Sequence, residues 1–431
     1  MLSYNEYIRM LYPEDKLDSC RDITIQVCDD CCLSCSYCYQ ICKGHNYMTK
    51  ETAKKTIDLL FKMYEEDDRN NFINKTTHGI VIDFIGGEPF MNIDVIDYAT
   101  TYLLDRCIKE EHEWLCNFRI SFATNGILYF DEKVQDYLSK FHDFVSLTVS
   151  IDGPKDIHDT CRKDANGNGS FDMAYKAMKH WHEHYNKENN KAETKVTIAP
   201  ENLHDLNKIV DFFMDNGVKV IFANPIYEAE WTVEQAAEYY KELKILADKL
   251  LTHPEITCSI FDKHHNTPKK TTDNQNWCGG DGNMCAFGPD GRAYPCLRYM
   301  ESSLGNSVPA LVIGDVEQGI YQTDETKELK KQLNAMTRES QSTEECFHCP
   351  IASGCAWCSA YNYQSKGKLN IRNTNICWMH RASSIANVYY WNMKYIIEGS
   401  ERRLPFFLEQ KYALQIISPE EYNALLELSS Y

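Results

Sequence analysis

The stretch Ile23-Thr24-Ile25-Gln26-Val27-Cys28-Asp29-Asp30-Cys31-Cys32-Leu33-Ser34-Cys35-Ser36-Tyr37-Cys38-Tyr39 joins a short β-rich run to three cysteines, Cys31, Cys35 and Cys38, at the spacing C-x3-C-x2-C. The run Ile23 to Val27 is the first of six. Gly79 to Ile85, Arg119 to Ala123, Phe144 to Ile151, Lys195 to Ile198 and Val218 to Phe222 follow it. Between them lie segments of helical periodicity, such as Ala53, Ile57, Leu60, Phe61 and Tyr64, or Leu203, Leu206, Ile209, Val210 and Phe213 before Gly217. Such alternation implies a parallel sheet clothed in helices. Six βα units are too few to close an eight-stranded barrel. The expected fold is therefore α/β, a partial barrel open on one side, with its chemistry at the C-terminal strand ends.

The chain has 431 residues, more than one hydrophobic core usually serves, so a large domain with a smaller one is expected. Hydrophobic residues at 43% and charged residues at 25% are ordinary globular values. No long apolar run or signal-peptide pattern opens the chain, so a soluble cytoplasmic protein without a membrane partner is expected. The formal net charge of −18 argues against nucleic acid, whose binding needs Lys and Arg to neutralise phosphates. Nineteen cysteines need a reason in so long a chain. Clustered at short spacings without a secretory signal, they read as metal ligands rather than disulfides.

A [4Fe-4S] cube has four irons, so the three thiolates of Cys31, Cys35 and Cys38 leave one iron without a protein ligand. An open position marks a catalytic metal site. The motif resembles that of the radical S-adenosylmethionine (SAM) superfamily, in which the open iron is chelated by the amino and carboxylate groups of SAM. The resemblance implies reductive cleavage of SAM to a 5′-deoxyadenosyl radical that abstracts hydrogen from a substrate, while the protein orients the reactants and excludes water. It also implies a partial (β/α)6 TIM barrel. Gly86-Gly87-Glu88-Pro89 resembles the family's GGEP turn, where close backbone approach and a carboxylate would bind the SAM amino group. Ser150 and Arg162 match residues that would hold the ribose and carboxylate of SAM. Tyr37 resembles the adenine-contacting aromatic, Asn125 would line the pocket and Ile221 would pack on the base. For Asn125 and Ile221, ordinary turn and core roles are equal alternatives.

Eight further cysteines, Cys278, Cys285, Cys296, Cys346, Cys349, Cys355, Cys358 and Cys377, would fill two more cubanes. Their arrangement resembles the SPASM domain of radical SAM maturases. That resemblance implies one auxiliary cluster on Cys278, Cys285, Cys296 and Cys358, and another on Cys346, Cys349, Cys355 and Cys377. Only two residues, Ala356 and Trp357, precede Cys358 where three are usual, which weakens its assignment. Structural zinc is the alternative, although cysteine pairs five residues apart are closer than zinc pairs usually are. The remaining eight, Cys20, Cys28, Cys32, Cys42, Cys107, Cys116, Cys161 and Cys258, read as buried small hydrophobes, with a further role left open for Cys32 and Cys42, which flank the first cysteine motif. The expected domains are an N-terminal extension at 1–22, the radical SAM partial barrel at 23–231, and a bridging helix and linker at 232–275. A SPASM auxiliary-cluster domain at 276–380 and a C-terminal helical segment at 381–431 complete them. Thr232 with Gln235 has the form of a capping box at the head of the bridging helix.

SPASM domains accompany modification of peptides and proteins. Anaerobic sulfatase maturases, which make formylglycine, carry an aspartate directly after the cysteine that matches Cys296; here Leu297 stands there. A missing proton acceptor counts against that reaction. The stretch Cys349 to Tyr363 resembles maturases of cysteine-bearing ribosomal peptides, which implies thioether crosslinks and a cysteine-containing precursor peptide as partner. A separate leader-binding protein and an electron donor such as flavodoxin or ferredoxin are further expected partners. A carbon–carbon or other radical crosslink, formylglycine formation, and a non-enzymatic electron carrier or zinc-held interaction module remain as alternatives. No general base is legible, although Asp152, Glu228 and Glu230 fall near the expected barrel mouth.

Overall fold

The structure, a computed structural model, describes residues 20–185, 193–262 and 284–430. Cys278 and most of the extension at 1–22 lie outside the described residues. The six β-rich runs become β1 (Cys20–Gln26), β2 (Gly79–Ile85), β3 (Phe118–Thr124), β4 (Val145–Val149), β5 (Glu193–Ile198) and β6 (Val220–Pro225). Short strands β7 (Thr257–Cys258), β8 (Met284–Phe287), β9 (Arg292–Tyr294), β10 (Gly314–Asp315) and β11 (Gly319–Ile320) follow. The main helices are α1 (Lys50–Glu66), α2 (Ile93–Lys109), α3 (Glu132–Phe141), α4 (Lys155–Cys161), α5 (Phe171–His184), α6 (Leu206–Asp215), α7 (Val233–Thr252), α8 (Asp324–Asn334), α9 (Ser359–Lys366), α10 (Cys377–Ile397) and α11 (Pro419–Ser429).

The chain divides into two compact units, one drawn from Met1–Cys32, Tyr39–Thr148 and Cys278–Met336, the other from Leu33–Cys38, Val149–Trp277 and Thr337–Tyr431. The first contains a sheet of order β11-β10-β9-β8-β1-β2-β3-β4. Strands β1, β2 and β3 run parallel, with Ile23 opposite Ile82 and Asp83 opposite Ser121. Side chains alternate across a sheet, so Ile23, Ile25, Ile80, Ile82, Phe84, Ile120 and Phe122 bury on one face while Thr24, Asp83, Arg119 and Ser121 share the other. Helix α1 buries Ala53, Ile57, Leu60 and Phe61 of the stripe read from the sequence, while Tyr64 is half-buried. Ile57, Leu60 and Phe61, each fully removed from water, contribute roughly 1.5–3 kcal/mol apiece. The outer edge of β1 is not bare: β8 pairs with it in parallel, setting Cys285 opposite Ile23.

In the second unit β5, β6 and β7 form a parallel sheet. Ser150, just past β4, makes a parallel bridge to Lys195 of β5. Helix α7 begins at the capping box read from the sequence: Gln235 N donates to Thr232 Oγ1 at 3.2 Å and Thr232 N to Gln235 Oε1 at 3.0 Å. Leu243, Leu246 and Leu250 of α7 are buried, as are Ala382, Ile385 and Ala386 of α10, against which α7 packs. Of the eight isolated cysteines, Cys28, Cys107, Cys161 and Cys258 are buried. The expectation fails for Cys20, Cys42 and Cys116, which are exposed at a strand start, in a loop and at the end of a short 3-10 helix, and Cys32 is half-buried beside Cys31. No described helix is long and apolar enough to cross a membrane.

Candidate functional site

In the first unit the cysteine loop is seated on the GGEP turn. Gly87 N donates to Cys28 O at 3.1 Å and Glu88 N to Asp30 O at 2.8 Å. A Cβ on Gly87 would stand 2.2 Å from Asp30 O and 2.7 Å from Cys31 Cβ, so only glycine admits this approach. Gln40 Nε2 donates to Gly86 O at 2.9 Å, tying the loop beyond the cysteines to the same turn.

The Glu88 side chain, 1% exposed, is committed to the protein. It accepts from Thr124 Oγ1 at 2.7 Å, Asn125 N at 2.8 Å and Phe90 N at 3.2 Å. Burial pushes its carboxyl up to about 7 against the pull of these bonds. Glu88 thus fastens the end of β2 to the end of β3. Asn125 turns toward the cysteines: its Nδ2 lies 3.3 Å from Cys32 Sγ and 3.7 Å from Cys31 Sγ.

The second unit carries the rest of the loop. Ser34 N donates to Lys163 O at 2.7 Å and Ser36 N to Cys161 O at 3.1 Å, so Cys35, Tyr37 and Cys38 are held against the chain leaving α4. Tyr37 OH and Arg162 Nε both donate to Asp152 Oδ2, the arginine at 2.8 Å. Asp152 is fully buried, which removes it from the carboxylates considered as a general base and makes it the anchor of Arg162. Burial holds the Tyr37 phenol well above its usual range.

Behind this group Asp152 N donates to His158 Nδ1 at 3.3 Å, which assigns the proton to Nε2, 2.9 Å from Ser170 Oγ. The Ser170 hydroxyl in turn donates to Arg162 O at 2.8 Å. Burial and the Arg162 charge depress His158 to about 4, so it stays neutral. Lys195 is in register with Ser150 on one side and Phe222 on the other, and residues in register share a face of the sheet. Phe222, 45% exposed, therefore lies in the Ser150 row, whereas Ile221, fully buried, points to the opposite face.

Cys285 and Cys296 sit at one end of the β8–β9 hairpin, beyond the Ala286–Tyr294 pair. Cys358 caps α9 in the second unit, its Sγ accepting from Tyr361 N at 3.4 Å. Cys346, Cys349, Cys355 and Cys377 are all in the second unit, with Cys349 and Cys377 each within electrostatic reach of Cys346 and Cys355. Among the described residues no three His, Cys, Asp or Glu side chains surround one point as ligands of a single ion do. A cubane asks for something else, one thiolate on each of four irons. The set fits such a group on a further ground. Arg372, 4% exposed, donates to Cys355 Sγ at 2.9 Å, and its Nη1 is buried without a hydrogen-bond partner, a positive charge suited to anionic thiolates. Sequence reading missed Arg372, and its one signal was an isolated arginine between Cys358 and Cys377. It also missed Asp152 as the partner of Arg162, although both lie in one short segment.

These features define a class. Residues 25–213 match the Radical SAM superfamily. The relatives are more particular. The chain is 26% identical to the cysteine-type anaerobic sulfatase-maturating enzyme of Clostridium perfringens (strain 13 / Type A), the match covering 79% of this chain and 90% of that one. It is 27% identical to the uncharacterized protein MJ0907 of Methanocaldococcus jannaschii over 48% of this chain, spanning 62% of that protein's length. Its fold is similar to that of native anSMEcpe with bound AdoMet, with TM-score 0.64, 17% identity and coverage of 87% of this chain and 99% of that one. It is also similar to Streptococcus suis SuiB bound to S-adenosylmethionine, with TM-score 0.54, 13% identity and coverage of 86% and 79%. Both neighbours have also been solved with peptides, anSMEcpe with the Cp18Cys peptide and SuiB with its precursor peptide SuiA.

Proposed function

We propose that this protein is a radical SAM enzyme that modifies a ribosomally made, cysteine-bearing peptide by installing thioether crosslinks. When bound, the cluster on Cys31, Cys35 and Cys38 and its SAM supply the hydrogen-abstracting chemistry. The chain's own residues bind and orient. Arg162 is fixed through Nε by Asp152, which leaves the other two nitrogens of its fork for the SAM carboxylate. The Gly86-Gly87-Glu88 turn meets the amino group through its close backbone approach and the Glu88 carboxylate, which Thr124 and Asn125 hold in place. Ser150 takes the ribose. Phe222, in its row, offers the base an aromatic face that Ile221 does not.

Two auxiliary clusters, on Cys278, Cys285, Cys296 and Cys358 and on Cys346, Cys349, Cys355 and Cys377, complete the reading as a SPASM maturase. The proposed partners are the precursor peptide, a separate leader-binding protein and a flavodoxin- or ferredoxin-like donor, and the proposed compartment is the cytoplasm. The observation that carries the thioether assignment is Leu297, an apolar side chain directly after Cys296, where formylglycine formation needs a proton acceptor. The second reading is formylglycine formation, favoured by the named sulfatase-maturating relative and its coverage of most of both chains.

Mass spectrometry of a cysteine-bearing peptide co-expressed with the enzyme and treated with a thiol alkylator separates them. Loss of two hydrogens per crosslink, with one thiol no longer alkylated, is expected. The same mass loss with every thiol reactive moves the reaction to a carbon–carbon or other crosslink. Conversion of cysteine to an aldehyde with loss of sulfur establishes the second reading.

A further inference from the structure

Arg372 is a cation buried without a carboxylate. Its main-chain N donates to Gln341 O at 3.0 Å, its Nη2 to Cys355 O at 3.1 Å and Cys355 Sγ at 2.9 Å, and its Nη1 is buried without a partner among the described residues. No described Asp or Glu lies within ion-pair distance of it. A guanidinium removed from water needs an anion beside it, because an unpaired buried charge costs several kcal/mol.

The groups facing it are thiols. Cys346, Cys355 and Cys377 lie within its electrostatic reach. Two more residues converge there from the first turn of α10. Arg381, its guanidinium carbon 3.7 Å from the Tyr412 ring centre and 4.5 Å from that of Trp378, reaches Cys349, Cys355 and Cys377 electrostatically. His380 lines a small recess with Cys355, Ile351, Gly354 and Ser384, its Nε2 buried without a partner. The four thiols thus face two guanidinium groups and an imidazole, while the nearby Glu345 carboxylate is engaged by Tyr412 OH. Neutral thiols would leave those charges uncompensated, whereas thiolates on a cluster offset them.

Resting on the cluster assignment above, we propose that Arg372 sets the reduction potential of the cluster held by Cys346, Cys349, Cys355 and Cys377. It holds that potential above the value the thiolates alone would give. Adding an electron increases the negative charge on the cluster. A donor on a ligand sulfur and a fixed positive charge beside it both favour that form, and hydrogen bonds and net charge are among the terms that set such potentials. Arg372 is a positioning and tuning residue, since it touches a ligand and not the substrate.

The test is a redox titration followed by electron paramagnetic resonance, on full-length protein reconstituted anaerobically. Cys31, Cys35 and Cys38 are changed to alanine throughout, so that only the auxiliary clusters report. Arg372→Gln removes the charge and Arg372→Lys keeps it while losing the planar fork. One midpoint is expected to fall in Arg372→Gln, to recover in part in Arg372→Lys, and the other midpoint to stay put. Unchanged midpoints at full iron content overturn the proposal. If Arg372→Gln sheds one cluster, the lysine variant decides: a lowered midpoint supports tuning, and an unchanged one reduces Arg372 to a structural prop and overturns it. A parent that binds fewer than about eight irons per chain refutes the two-cluster assignment instead, independently of Arg372.

Discussion

Arg162 acts through Asp152, so the two should fail together. Arg162→Ala is expected to weaken SAM binding by roughly 2–5 kcal/mol in calorimetry on reconstituted enzyme, the usual loss when one partner of a buried charge pair is removed. Asp152→Asn should weaken it too, because the Nε anchor loses its charge while the fork remains. SAM affinity left intact by Arg162→Ala would retire the carboxylate assignment. His158 gives the same group a pH signature. Its imidazole titrates at about 4 in the folded chain against the ordinary histidine value of 6.5, so between those values the unfolded chain binds a proton the folded one does not. Stability therefore falls as pH drops through that window, by roughly 2 kcal/mol from pH 7 to pH 5. Urea unfolding at the two pH values should return a difference smaller by about that amount in His158→Gln, and equal differences would show that His158 titrates normally.

Elements depend on a few contacts that can be removed singly. In the GGEP turn, Gly87→Ala drives a methyl into Asp30 O and Cys31 Cβ. The cysteine loop must then shift, and the variant is expected to lose the SAM-binding cluster, roughly a third of the iron if three cubanes are present. Full iron content with normal SAM cleavage would mean the loop yields freely. For α7, whose Leu243 is fully buried, Leu243→Ala should cost about 2–5 kcal/mol in denaturant unfolding. Thr232→Ala, which opens the capping box, should cost about 1 kcal/mol. These helices were legible because their stripes and caps are local. The pairing of β8 with β1 was not, because Met284 to Phe287 is too short to carry a period and its partner lies far back in the sequence.

For the whole molecule, iron analysis provides the broadest check: about twelve irons per reconstituted chain are expected, falling by about a third when Cys31, Cys35 and Cys38 become alanine. A content near four would confine the protein to one cluster. By itself the sequence determined the six βα repeats, the cysteine motif and the GGEP turn, since alternation of apolar runs and fixed cysteine spacings are properties of neighbouring residues. Only the tertiary structure decided what each polar side chain is spent on. Glu88 is held by Thr124 and Asn125; Asp152, read as a loose carboxylate, is buried under Arg162 and Tyr37. The row holding Ser150 passes through Phe222 rather than Ile221, because a one-residue step along a strand reverses the face. Arg372 became significant only when folding removed it from water and set Cys355 beside it. Burial and long-range register depend on the whole chain, and no local pattern encodes them.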